Sequence, residues 1–209
     1  KRKDYPIVLG KERVIEAKVL GAKAHSFTDS PANFNGGLSD VLEMKLDSNS
    51  ARAIFIAVMN AVLRHLGVVD AALHCRDEEP EACGREVAMI ARGMPGVFSV
   101  GLIGFNPAIA QNLVAAFTPQ AVRITDLSPE NIVSVKFGVQ IWDGRTRTEE
   151  LVRTSDVVLV TGTTIVNGTF DHIERLAREY GRTLIVYGVT ASGVGALCRL
   201  TRICPYAKE

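Results

Sequence analysis

The sequence predicts an α/β protein, a parallel sheet covered by helices on both faces and preceded by a smaller α+β unit. Three observations carry this. Short apolar runs in the second part of the chain, VGLI at 100–103, VVLV at 157–160 and TLIVY at 183–187, alternate with helix-like segments. Such runs suit strands buried on both faces. Loops of small and polar residues follow them. The first part of the chain instead reads as loosely alternating sequence followed by one long amphipathic helix. The change falls near residues 84 to 97, which divides the chain into an α+β unit over 1–90 and a sheet unit over 91–209.

In the first unit, VIEAKVLGAKA (Val14–Ala24) alternates as a half-buried strand does, with Ile15, Ala17, Val19 and Gly21 on one side. FTDSPANFNGG (Phe27–Gly37) is turn-rich and reads as an exposed loop. Leu38–Leu46 reads as a second, shorter strand. SNSARAIFIAVMNAVLRHLG is a strong helix signal, with Ser50 as its cap and Gly67 as its stop. Asn60 sits in the apolar surface of that helix, either as a buried amide satisfied by backbone or as a group facing a cleft. Val68–Ala72 reads as a strand, and Arg85–Arg92 as a helix ended by MPG.

The second unit alternates. Phe98–Ile103, Val122–Thr125, Val157–Val160 and Thr183–Tyr187 read as strands, and Pro107–Phe117 and Phe170–Tyr180 as helices. Thr169 suits the cap of the last helix, and Gly181 its end.

Composition limits the function classes. A net charge of +1 leaves no surplus that would draw nucleic acid or an anionic membrane surface. No apolar run approaches the roughly 18 residues of a membrane span. No secretory leader opens the chain, which begins at Lys1 rather than Met, as expected if native residues lie upstream. Four cysteines in 209 residues do not make a disulfide scaffold. A reducing cytoplasm is the expected compartment.

Three strand-end loops are candidate ligand contacts, since open parallel sheets bind ligands at the carboxyl ends of their strands. In the first, Gly104 closes a strand, Asn106 caps the next helix and Pro107 takes its first position. Asp126 ends the following strand, where nucleotide-binding folds place the acid that bonds ribose. The loop reads G-F-N-P, however, without the G-x-G-x-x-G that lets a pyrophosphate approach. In the second loop, Gly162–Gly168 is surplus length at a strand end, and Thr161, Gly162, Thr163, Thr164 and Asn167 offer hydrogen bonds. In the third, YGVTASGVGALC, Gly188 and Thr190 recur as small polar residues. Val194 stands where a P-loop requires Lys, and no G-x-S-x-G is present.

The cysteines pair as Cys75 with Cys83 and Cys198 with Cys204, without C-x-x-C spacing. His74, Asp77, Glu78 and Glu79 surround the first pair. Cys75 and Cys83 are the candidate metal ligands, because thiolates take soft transition metals. Cys198 and Cys204 add sulfurs only if the C-terminal segment reaches the same junction.

VVLVTGTTIVNGTFD, VGLIGFNPAIAQNL with RITDLSPEN, and NAVLRHLG together resemble the heavy-metal-chelation family of prokaryotic proteins, over about Val14 to Pro205. The resemblance implies a Rossmann-like C-terminal half and an N-terminal half like the small α+β domain of enolases. It implies binding of a metal, a metal chelate or a small polar ligand in the cleft between them, with Gly104, Asn106, Asp126, Thr163, Thr164 and Asn167 lining it. HCRDEEPEAC and RICPY read as a subgroup feature. The expected function is therefore small-ligand or metal-chelate binding in a cleft, with a homodimer as the expected assembly. The alternatives are an enzyme using a nucleoside-type cofactor at the Gly104/Asp126 turn and a non-catalytic partner-binding module.

Overall fold

The computed structural model of the chain describes residues 10–76 and 78–209. It opens with a hairpin of β1 (Arg13–Val19) and β2 (Ala22–Thr28), paired antiparallel with Val19 opposite Ala22. Leu20 and Gly21 form its turn, with φ of 48° and 87°. This left-handed pair matches the strand twist, and Gly21 adopts it without a Cβ penalty. The strand expected over Val14–Ala24 is thus two strands, and Gly21 turns the chain instead of joining a buried face.

The strand expected at 38–46 is a short helix, α1 (Leu38–Leu42). The Gly37 N–H donates to the Asp40 carboxylate at 2.7 Å, which starts a helical turn where apolar spacing alone suggested an extended chain. α2 (Asn49–His65) is the long helix. Ser48 caps it rather than Ser50, because the Ser48 hydroxyl accepts the Ala51 N–H at 3.2 Å. The helix lies across the hairpin, burying Ala53, Ile56, Ala57 and Ala61. Residues 68–72 are irregular rather than a strand. They end where Leu73 pairs with Lys208 from the chain's other end. α3 (Glu79–Gly93) starts before the expected Arg85, with Pro80 in the first turn.

A seven-stranded sheet follows. In chain order its elements are β3 (Val100–Ile103), α4 (Pro107–Phe117), β4 (Val122–Asp126), β5 (Val135–Lys136), β6 (Val139–Asp143) and α5 (Gly144–Arg153). Then come β7 (Val157–Thr161), α6 (Thr163–Val166), α7 (Phe170–Glu179), β8 (Thr183–Tyr187), α8 (Ser192–Cys198) and β9 (Arg202–Ile203). The spatial order is β5-β6-β4-β3-β7-β8-β9, with only the β5–β6 pair antiparallel. The short β5, β6 and β9 and the helices α5 and α8 carry no strong periodicity in the sequence. Long-range pairing places them.

Alternation on the strands builds the two cores. Val157 and Leu159 point to the face covered by α3 and α4, with Leu102, Ile124 and Leu113. Val158 and Val160 point to the opposite face, covered by α5 and α7, with Leu151, Ile173 and Leu176. These residues are nearly all fully buried, which is why the strands read as continuous apolar runs. Among the described residues, no helix is long and apolar enough to cross a membrane.

β3 and β7 are neighbours, but their connections leave in opposite directions, β3 to β4 and β7 to β8. The carboxyl ends of β3 and β7 are therefore the topological switch point, where a crevice opens.

Candidate functional site

The crevice is real and large. A cleft of about 1370 Å³ runs along this edge, bounded on one side by the strand-end loops and on the other by residues 10–12, 27–29, 74–75, 78, 80–81, 83 and 203–204. At its centre Gly104 has φ +87°, and a Cβ there would lie 2.5 Å from Thr161 Cγ2. Its carbonyl accepts the Tyr187 O–H at 2.7 Å, and its N–H donates to the Thr125 carbonyl at 2.9 Å. Gly104 thus ties β3, β4 and β8 together at the cleft floor. Burial, with Glu12 and Asp126 nearby, pushes the Tyr187 phenol up in pKa, so it stays a hydrogen-bond donor.

The first loop is closed to anions. Asn106 caps α4 as its type and position predict, its side chain accepting the Ala108 and Ile109 N–H groups, each at 3.1 Å. The Ala110 N–H donates to the Asn106 carbonyl at 2.8 Å, and Pro107 has none to offer. Asp126 is also engaged. Oδ2 accepts the Phe105 N–H at 2.6 Å, and Oδ1 accepts from Ser128 N–H at 2.7 Å and Asn131 Nδ2 at 3.3 Å. A carboxylate has about four lone-pair sites, so Asp126 braces two loops and keeps about one position for a ligand.

The Gly-Thr stretch is not a loose loop. Residues 163–166 form the helical turn α6, closed by the Thr164 hydroxyl donating to the Thr161 carbonyl at 2.7 Å. Val166 is buried against Ala53 and Ile56 of α2, and Ile165 packs beside it. Thr161, Thr163, Thr164 and Asn167 then line the cleft. Asn167 Oδ1 accepts from Thr169 N–H and Oγ1, at 3.1 and 2.7 Å, which leaves its Nδ2 as the group to offer. Thr169 precedes α7 as expected but makes no side-chain cap bond. Gly188 lines the cleft as well; Gly162 and Thr190 stand behind it. A Cβ on Gly162 would meet the Ala191 nitrogen at 2.9 Å, and Thr190 Oγ1 accepts the Phe27 N–H at 3.0 Å. The segment that reads as a third loop is a 3-10 turn (Val189–Ala191) running into α8.

The opposite wall carries the soft donors. Cys75 and Cys83 both line the cleft, and so does Cys204, brought there by the pairing of Leu73 with Lys208 and by the Lys208–Glu79 ion pair. Cys198 is exposed at the end of α8 and lines no part of this cleft. Asp77 lies outside the described residues. Burial pushes the thiols of Cys75 and Cys83 up to about 12, and the neighbouring Cys204 adds to both. His74 lies beside them, with Nδ1 3.8 Å from Cys75 Sγ and its ring edge-to-face with Phe27 at 5.0 Å. Burial first, then the charge of His25, lowers His74 to about 4, so its imidazole is neutral at pH 7. Glu12, which no local sequence signal marks, faces the floor. Burial, then Asp126 and Asp29, raises it to about 7.

The donor set is one for a soft metal: three thiols and a neutral imidazole. It is not a closed cage. Among the described residues no three His, Cys, Asp or Glu side chains are already arranged to hold one ion. A tetrahedral structural zinc site, with four ligands in place, does not fit. Two-coordinate binding of a thiophilic ion asks for only two sulfurs, and three cysteines line the cleft.

The comparisons agree with this architecture. Two solved structures share the fold, one from Pyrococcus horikoshii (TM-score 0.56, 15% identity, covering 90% of this chain and 72% of that one). The other, from Desulfitobacterium hafniense DCB-2, gives a TM-score of 0.55 and 15% identity, covering 90% of this chain and 75% of that one. Both are described as DUF364 proteins of unknown function. No curated protein matches the chain. A family model matches residues 92–201, which hold Gly104, Asn106, Asp126 and the α6 threonines but none of Cys75, Cys83 and Cys204. Over this match the chain belongs to the DUF364 family, whose description is "putative heavy-metal chelation".

Proposed function

We propose that the cleft binds a soft metal ion or a small metal chelate, with Cys75 and Cys83 as metal ligands. One observation carries the reading: the two thiols line the same cleft as the switch-point loops. The cleft is far larger than a bare ion requires, which leaves room for an organic chelator. On the sheet side, the Asn167 and Asn106 amide groups, Thr163 and the remaining position on Asp126 would orient polar atoms of that chelator. Gly104 and Gly188 would let it approach the backbone. On the thiol side, a metal ion supplies the charge that lets buried thiols ionise, so binding releases protons to solvent.

The nucleoside-type alternative at the Gly104/Asp126 turn finds less support. The helix N-terminus there is spent on Asn106, and Asp126 is mostly spent on Phe105, Ser128 and Asn131. The test is anaerobic titration of the reduced protein with cadmium(II), followed by sulfur-to-metal charge-transfer absorbance, with magnesium(II) as the hard-ion comparison. A saturable cadmium signal that is lost in the double variant C75S/C83S supports the reading. Equal binding by both proteins, or no binding by either, refutes it.

A further inference from the structure

The cleft does not stay on the thiol side of the sheet. Val122 and Ile124 of β4 point into the core covered by α3 and α4, so Thr125, the next residue, points to the opposite face. Its register partner Ile103 belongs to that face, in the core with Leu151 and Ile173. Ile103, Thr125, Thr148, Glu149 and Ile173 all line the cleft, whereas Cys83 packs against the α3/α4 core. The cleft thus has a second lobe, between the strand ends and the first turns of α5 and α7. Helix α5 runs back along this face. A Cβ on Gly144 would lie 3.2 Å from the Asp126 carbonyl, and one on Gly101 would lie 2.4 Å from Leu151 Cδ2. Thr148, buried one turn before Leu151, falls between these fixed points. It is about 6 Å along the helix from Gly144, and Thr125 is about 3.3 Å before Asp126 on its strand, so the two threonines are about level.

The hydroxyls of this lobe are short of donors, not of lone pairs. The Thr148 hydroxyl spends its proton on the Gly144 carbonyl at 2.7 Å, which leaves it an acceptor. Thr125 Oγ1 is fully buried and has no hydrogen-bond partner among the described residues, a costly state for a hydroxyl. Glu149 Oε1 accepts the Tyr180 O–H at 2.6 Å, so its second oxygen is left to accept. The surrounding charge is negative. Asp29 and Glu78 line one wall and Asp126, Glu130 and Glu149 the other, against Lys11, Lys136 and Arg145. None of these five carboxylates forms an ion pair among the described residues, and Arg145 is itself paired with Asp143 at 3.5 Å.

We propose that this lobe is a subsite for a protonated aliphatic amine. The alkyl chain lies between Ile103 and Ile173, the ammonium donates to the Thr125 and Thr148 hydroxyls, and Glu149 supplies the opposite charge. An ammonium brings three N–H donors and no acceptor, which is what an acceptor-rich, carboxylate-lined lobe lacks. A carboxylate or phosphate would meet like charge there, and a neutral alcohol would leave that charge unmatched. The subsite lies on the opposite face from the α3/α4 core and does not rest on metal binding by the thiols, so its failure leaves that reading untouched.

The experiment is calorimetric titration of the full chain at pH 7 with 1-butylamine and 1,4-diaminobutane, with 1-butanol and butyrate as chain-matched neutral and anionic probes. The expected results are saturable binding of an amine and none of the alcohol or the acid. Thr125→Val keeps the shape of the side chain and removes only the hydroxyl, and Glu149→Gln removes only the charge. Each should weaken the amine about tenfold or more, since each removes a partner of a charged group. Thr125→Val should meanwhile fold with an unchanged or higher Tm, because it deletes a buried hydroxyl that has no partner. A thermal melt of each variant is recorded alongside, and Glu149, at the surface, tests the proposal independently of Thr125. No amine binding by the wild-type protein overturns the proposal. Wild-type amine affinity in either folded variant, or 1-butanol bound as tightly as 1-butylamine, overturns it as well.

Discussion

The Asn60 side chain accepts the Gly193 N–H at 2.7 Å, and its Nδ2 faces the carbonyls of His25, Val189 and Thr190 at 3.2 to 3.3 Å. One fully buried amide thus joins α2, the hairpin and the segment that follows β8. Gly193 fits because a Cβ there would lie 2.7 Å from Asn60 Oδ1.

Asn60→Asp is isosteric but replaces the donor with an acceptor facing three carbonyls. It should destabilise the protein more than Asn60→Leu, and each should cost about 2–4 kcal/mol, since buried polar groups lose their partners. Chemical denaturation measures both. A change under about 0.5 kcal/mol for N60D would show that the amide does not link these elements.

Gly104→Ala should destabilise by about 2–4 kcal/mol, from the left-handed backbone and the overlap with Thr161 Cγ2. Thr161→Ser removes that methyl and keeps the hydroxyl. The double variant G104A/T161S should therefore recover part of the loss, and strictly additive effects would contradict the contact.

Glu12 gives a pH signature. Its folded pKa of about 7 lies above the ordinary glutamate value of 4.5, so between these values the folded state holds a proton that the unfolded chain has lost. Stability present below about pH 4.5 should therefore fall as pH rises toward 7 and then level off. Glu12→Gln mimics the protonated form, so it should raise Tm by about 5 °C at pH 8 and change little at pH 4. Equal Tm for both proteins at pH 8 would remove Glu12 from the buried floor.

The thiols should differ in reactivity. Cys198 is exposed, whereas Cys75 is buried and its thiol is pushed up to about 12. Alkylation at pH 7.5, mapped by mass spectrometry, should label Cys198 first and Cys75 far more slowly, because the thiolate is the reacting form. Rapid labelling of Cys75 would contradict its place in the wall.

What the sequence made legible was local. Asn106 followed by Pro107 announces a helix start by residue type alone, and VVLV announces a strand buried on both faces. Asp126 was legible as a strand end, but not that its oxygens would be taken by Phe105 and Ser128, because loop closure across β3 and β4 decides that. The TGTTIVNGT run read as loop because its glycines and threonines have low helix propensity. Packing of Val166 on α2 overrides that propensity and closes a turn. Cys204 was legible only as a sulfur conditional on where the C-terminal segment lies, and Glu12 left no local signal at all. One reaches the cleft through the Leu73–Lys208 pairing, and the other is buried by residues far away in the chain.

The most direct test is native mass spectrometry, with elemental analysis, of protein purified anaerobically without chelator, comparing wild type with C75S/C83S. Thiol-anchored binding in the cleft predicts a wild-type mass increment that contains a soft transition metal, alone or within a small chelate, and that is missing from the double variant. A metal-free increment that survives both substitutions, or metal content equal in the two proteins, would contradict it.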